Sequence, residues 1–166
     1  GNFWRGRSSG KMERTRADHM GMLATVINAL GLADTLEQMQ VPVRVQTAIE
    51  MNAIADQYVR DEAVRKLEEG TVVILGCGTG NPFFSTDTGA SLRAAELNCD
   101  IILKATMVDG VYDSDPKKNP NAVRFDRLTF SDILEKNLQV MDMTAATMCR
   151  DNGLPLLVFD ISDPEN

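Results

Sequence analysis

From Ala17 to Gln38, ADHMGMLATVINALGLADTLEQ, apolar Met20, Leu23, Ile27 and Leu30 recur at three- and four-residue spacing, which predicts a long helix with one apolar face. Val41 to Thr47 reads as a short strand opened by Pro42. Arg60 to Glu69 mixes charge with Ala63, Val64 and Leu67, the pattern of an exposed amphipathic helix stopped by Gly70. TVVIL, Thr71 to Leu75, is an apolar run of the kind that forms a buried parallel strand. Thr86 and Asp87 are placed to cap a helix over Thr88 to Leu97, and DIILKAT, Asp100 to Thr106, follows as a strand. YDSDPKKNPNA, with its two prolines, reads as a polar loop. Thr129 to Lys136 predicts a short helix, VMDMTAATMCRDNG a second one ended by Gly153, and PLLVF, Pro155 to Phe159, a last buried strand. Strands alternating with helices imply one α/β layered domain with a largely parallel sheet. No internal repeat, low-complexity segment or interior linker interrupts it.

Composition narrows the function. The chain has 166 residues, 43% hydrophobic and 25% charged, enough for one domain with a sizeable core. Its longest apolar runs are four or five residues, too short for a bilayer, and no signal-like segment opens the chain. The three cysteines, Cys77, Cys99 and Cys149, have neither disulfide nor metal spacing and suit buried thiols in a reducing cytoplasm. The nine methionines are expected to fill the core. A net charge of −7 argues against a general nucleic-acid binder. Locally, RGRSSGKMERTR sets Arg5, Arg7, Lys11, Arg14 and Arg16 against Glu13 alone, either a solvated loop or one that faces an anion. Both ends, Gly1-Asn2 without a methionine and DISDPEN just after a strand, read as cut, so a fragment is expected.

The candidate chemistry lies where ligands of open α/β sheets bind, at strand carboxyl ends. CGTGNPFFSTD, Cys77 to Asp87, follows the TVVIL strand with Gly76, Gly78 and Gly80 in five residues, then Phe83-Phe84. Glycines admit backbone N–H groups to an anion, and the helix start at Asp87 adds a favourable dipole. Thr79, Asn81, Ser85 and Thr86 can hydrogen-bond a base or sugar, and the phenylalanines can pack on a ring. The loop is neither a Walker A motif nor G-x-G-x-x-G, and a plain strand-to-helix connection stays open. In KATMVDGVYDSD, Lys104 to Asp115, Asp109-Gly110 is a turn pair and Tyr112, Asp113 and Asp115 form either a solvated acidic tip or an adenine-side pocket. Lys104 is a phosphate contact or a snorkelling lysine. Asp18 caps its helix or receives a sugar hydroxyl, and Asp142 is a cap or the orienter of a phosphate-binding lysine. His19, the only histidine, reads as structural.

Five motifs taken together in this order resemble the bacterial-type uridylate (UMP) kinases of the amino-acid-kinase superfamily. They are GN-x-x-RG at Gly1–Gly6, ADHMGMLATVINAL at Ala17–Leu30, GTGNPFFSTD at Gly78–Asp87, LKAT-x-VDGVYDSDPKKNP at Leu103–Pro120, and VMD-x-TA with CRDN-x-LP at Val140–Pro155. The resemblance implies a three-layer αβα sandwich around a mostly parallel sheet, in a cytoplasmic homohexamer. It implies transfer of the ATP γ-phosphoryl to UMP in pyrimidine nucleotide biosynthesis, with Mg²⁺ and with GTP and UTP as effectors. Carried over by position, Asp18 and the loop Thr79, Gly80, Asn81, Pro82, Phe83, Phe84, Ser85 and Thr86 would contact UMP. Gly1, Arg5, Thr106, Tyr112 and Asp115 would contact ATP, with Arg5 and Asp142 catalytic and no protein metal site. Arg44 would be an effector contact at the oligomer interface, and the Ala17–Gln38 helix would supply either subunit contacts or ordinary burial. The family's main phosphate lysine lies upstream of Gly1, so the chain as written is expected to be inactive or nearly so. Two rivals accompany this reading: another superfamily kinase acting on a carboxylate or carbamate, and a non-catalytic nucleotide- or metal-storage relative.

Overall fold

The computed structural model describes residues 12–138 and 140–162, in two compact units that divide between Thr86 and Asp87. The first is built on helix α1 (Arg14–Gln38), strands β1 (Val43–Thr47) and β2 (Asp56–Gln57), helix α2 (Arg60–Glu68) and strand β3 (Val72–Gly76). The three strands form a parallel sheet ordered β2-β1-β3, with β1 and β3 in register from Val43 opposite Val72 to Thr47 opposite Gly76. Helix α1 packs on β1 and β3, and α2 on β3.

The face that α1 buries differs from the one its spacing suggested. Ala17, Met22, Val26, Ala29 and Ala33 point inward, whereas Met20, Leu23, Ile27 and Leu30 are exposed. The helix carries two apolar stripes, and the one rich in alanine allows the closer approach to a sheet. Met22 and Val26 pack with Cys77, Ala48, Ile49 and Met51. The Cys77 N–H, just past β3, donates to Thr25 Oγ1 at 2.8 Å, which ties the strand end to the helix. The helix also starts three residues before Ala17, because the Glu13 carboxylate accepts the Thr15 and Arg16 N–H groups as its N-cap. Those bonds hold the Glu13 carboxyl below the usual carboxylate range, and Asp18, in the second turn, does not serve as the cap.

The second unit comprises helix α3 (Thr86–Glu96), strands β4 (Ile102–Thr106), β5 (Val111–Tyr112) and β6 (Arg124–Phe125), helices α4 (Phe130–Glu135) and α5 (Met143–Asp151), and strand β7 (Leu156–Asp160). Strands β4 and β7 pair in parallel, with Leu103 opposite Leu157. Both leucines are exposed, as is Val72 on β3, so the apolar runs expected to be buried strands are only partly covered. Ile102 of β4 packs against a core of Ala94, Cys149 and Leu154, which Phe130 and Met141 also border. Helix α3 begins at Thr86, so Thr86 and Asp87 lie in its first turn rather than before it. The polar loop after Gly110 opens and closes on the antiparallel β5–β6 pair, which two-residue strands do not announce in sequence. Methionine is mainly a surface residue: Met12, Met20, Met39, Met107 and Met143 are exposed, and Met22 alone belongs to the buried core of the described residues. None of the described helices is long and apolar enough to cross a membrane.

Candidate functional site

In the first unit the chain leaves β3 through Cys77 and Gly78, both with positive φ (67° and 56°), and turns again at Gly80 (φ 77°). At Gly80 glycine is required twice over. A Cβ would also meet the Ala48 carbonyl oxygen and Cβ at 3.2 Å. Burial pushes the Cys77 thiol up, so this cysteine is a packing residue rather than a nucleophile. The turn is held from within by Gly80 N–H to the Cys77 carbonyl (2.9 Å), Asn81 N–H to Thr79 Oγ1 (3.2 Å) and Asn81 Nδ2 to the Thr79 carbonyl (3.3 Å). Phe83 holds a left-handed φ of 74°, uncommon for a bulky side chain, and is 64% exposed beside Phe84 at 53%.

That strained residue has an anchor. Its backbone N–H donates to Asp18 Oδ2 at 2.8 Å, and the Arg14 Nε donates to the same oxygen at 2.6 Å. The Arg14 guanidinium lies 5.0 Å from the centre of the Phe83 ring. Asp18, with its side chain 12% exposed, therefore joins α1 to the loop that carries Thr79 to Thr86. Arg14 was grouped by sequence with a basic loop and its role passed over. Its i, i+4 spacing to Asp18 on a helix was the available signal.

In the second unit Thr106, Tyr112 and Asp115 line one cavity of about 470 Å³, with Val108, Ser114 and Val140 among the remaining walls. That volume suits a small ligand. Thr106 Oγ1 closes a turn at the end of β4, donating to the Val108 carbonyl at 2.7 Å and accepting its N–H at 3.0 Å. Asp115 accepts the Lys117 N–H at 3.0 Å and so shapes the loop mouth. The Tyr112 hydroxyl donates to Asp109 Oδ1 at 2.7 Å, and Arg124 reaches Asp109 Oδ2 at 2.8 Å. The tyrosine hydrogen bond draws the Asp109 carboxyl down, and the same bond pushes the Tyr112 hydroxyl up. Sequence treated Asp109 as half of a turn pair. Nothing in it indicated that Arg124, fifteen residues on, would face that carboxylate.

Lys104 donates to Asp87 Oδ2 at 2.7 Å and to the Val140 carbonyl at 2.6 Å. Asp142 is the N-cap of α5: its Oδ1 accepts the Ala145 N–H at 3.1 Å, and the buried Thr88 hydroxyl donates to the same carboxylate at 3.1 Å. Lys104 thus pairs with Asp87, and Asp142 caps the start of α5. Arg44 pairs with Asp56 at 3.2 Å across neighbouring strands, and His19 is exposed on α1. Gly1 and Arg5 lie outside the described residues. No group of three or more His, Cys, Asp or Glu among the described residues could hold a metal ion.

Each unit ends a parallel strand in a loop, glycine-rich after β3 in the first and acidic after β4 in the second, and ligands of α/β proteins bind at such strand ends. The chain belongs to the amino acid kinase family, which it matches over residues 3–160. It is similar to the crystal structure of UMP kinase from Ureaplasma parvum, at 44% identity and a TM-score of 0.94, over 99% of this chain and 71% of that one. It is similar to the UMP kinase of Bacillus anthracis, at 42% identity and a TM-score of 0.95, over 99% of this chain and 69% of that one. The uridylate kinase of Archaeoglobus fulgidus is more distant, at 27% identity and a TM-score of 0.67, over 93% and 68% of the respective chains.

Proposed function

We propose that this chain is the nucleotide-binding part of an ATP:UMP phosphotransferase, taking the γ-phosphoryl of ATP to UMP and giving ADP and UDP. The observation that carries the reading is its 44% and 42% identity, over 99% of the chain, to two UMP kinases. The site geometry is consistent with it. UMP is held by the first unit: Asp18 takes a ribose hydroxyl, and the turn from Thr79 to Thr86 takes the uracil and the phosphate. Phe83 N–H and Arg14 Nε already hold the Asp18 carboxylate in a fixed orientation beside that turn. Phe83 and Phe84 supply the apolar surface for the base. ATP is held by the second unit, in the cavity that Thr106, Tyr112 and Asp115 line.

The UMP phosphate is already an anion, so the reaction needs no general base. Catalysis is positioning plus neutralisation of charge on the transferring group. Mg²⁺ would arrive with ATP and would offset the charge on its phosphate oxygens. Arg5 serves the transferring group from outside the described residues, and Gly1 joins the ATP side there. Asp142 contributes through the α5 start that it caps. Arg44 serves GTP or UTP control, and the protein works in the cytoplasm as a homohexamer in pyrimidine nucleotide synthesis.

The test is a coupled ADP-release assay on the full-length protein with UMP, CMP and aspartate offered as acceptors. UDP formation with UMP preferred is the expected result. Turnover with aspartate, or bound metal without turnover, would replace this reading with one of its rivals.

A further inference from the structure

Lys104 occupies the middle of β4, on the face shared with Ile102 and Thr106. Its side chain is only 24% exposed, and a cation drawn that far from water needs partners. It has two, and they lie far apart in sequence. Asp87, in the first turn of α3, is 2.7 Å away, and the carbonyl of Val140, two residues before the α5 cap, is 2.6 Å away. Val140 is a wall of the cavity that Thr106, Tyr112 and Asp115 line. One ammonium therefore joins the middle of β4, the start of α3 and a cavity wall. Two of its three N–H donors are committed, and its charge is already met by a carboxylate.

We propose that Lys104 is a positioning residue for ATP: through its bonds to Asp87 and the Val140 carbonyl it sets the shape of the ATP cavity, rather than meeting a phosphate itself. This rests on the ATP assignment above and adds to it a residue with a different job. Helix α3 has a second tether, Thr88 to Asp142 at 3.1 Å, so losing Lys104 deforms the cavity wall without releasing the helix.

Titration calorimetry of ATP and of UMP on the full-length protein provides the test, with Lys104→Met, Lys104→Arg, Asp87→Asn and the Asp87→Asn/Lys104→Met double variant. Lys104→Met is expected to weaken ATP about tenfold or more, the scale of a lost charge-assisted hydrogen bond, while UMP changes by less than about twofold. Lys104→Arg recovers most of the loss, and the double variant is no weaker than Lys104→Met alone. Losses that add in the double variant would mark a direct phosphate contact and overturn the proposal. So would a lower Tm with ATP affinity unchanged, which is what a merely structural pair gives. Should Lys104→Met not fold, Asp87→Asn decides alone: it must weaken ATP and spare UMP, and unchanged ATP affinity overturns the proposal. A wild-type protein that binds no ATP would sink the underlying assignment and this proposal with it, an outcome recognisable in the wild-type titration itself.

Discussion

The backbone N–H of Phe83 donates to the carboxylate of Asp18 at 2.8 Å, across 65 residues of sequence. This bond fixes a residue of left-handed conformation in the loop proposed to hold UMP, and it does so from the helix proposed to hold the ribose. Acceptor loop and ribose ligand are therefore one mechanical unit. Asp18→Ala is expected to weaken UMP at least about tenfold, since it removes a charge-assisted bond worth about 1.5–3 kcal/mol as well as the ribose contact. ATP affinity should not change. Arg14→Ala removes both the cation beside the Phe83 ring and the 2.6 Å bond to Asp18, so it should weaken UMP too, by about 1–3 kcal/mol. Calorimetry with each nucleotide checks both variants, and equal losses for UMP and ATP would separate Asp18 from the acceptor side.

Two glycines should respond to alanine in opposite directions. Gly80 has a φ of 77° and only 3.2 Å of room before the Ala48 backbone, so Gly80→Ala should destabilise by about 1–2 kcal/mol from the backbone alone. Gly31 lies inside α1 with nothing within 4 Å of a Cβ, so Gly31→Ala should stabilise by about 0.5–1 kcal/mol. Thermal unfolding of the pair tests whether the glycine-rich turn is under conformational demand or merely accommodating.

The same contrast shows what could be read before the fold was known. Long helices and apolar strands were legible because their periodicity or continuity is written locally, and the parallel α/β class followed from their alternation. The inward face of α1 was not, because Met20, Leu23, Ile27 and Leu30 are more hydrophobic than the alanine-rich stripe that the sheet selects for its fit. Asp18 and the Thr79–Thr86 turn were named as partners in ligand binding, but their direct bond depends on a 65-residue separation that no local pattern encodes. The Asp109–Arg124 pair escaped for the same reason: two-residue strands bring it together.

The Asp109–Tyr112 hydrogen bond makes stability depend on pH at both ends. Asp109 titrates below the usual carboxylate range, so its contribution is present above the ordinary value of about 4 and is lost as pH falls through the lowered one. Tyr112 titrates above the usual tyrosine range, so its contribution is present below about 10 and is lost as pH rises through the raised value. The stability this bond contributes should therefore be flat across neutral pH and fall at both extremes, which Tm measured across pH checks. Tyr112→Phe should remove the alkaline fall and blunt the acid one, because Asp109 loses the partner that lowers it most. A Tyr112→Phe protein with the wild-type alkaline limb would show that another group titrates there.

Asp142 can be asked whether its charge matters beyond its cap. Its carboxylate accepts the Ala145 N–H and the hydroxyl of Thr88, a residue only 3% exposed. Asp142→Ala should cost about 1 kcal/mol for the lost cap and about 1–3 kcal/mol more for a buried hydroxyl deprived of this acceptor. Asparagine keeps the side-chain oxygen that caps a helix nearly as well, so Asp142→Asn should unfold within a few degrees of wild type. The two variants thus divide stability from charge. If the carboxylate serves phosphoryl transfer, Asp142→Asn in the full-length protein should lose roughly a hundredfold in turnover while its Tm barely moves. If kcat instead follows Tm in both variants, Asp142 is a structural cap and leaves the catalytic set.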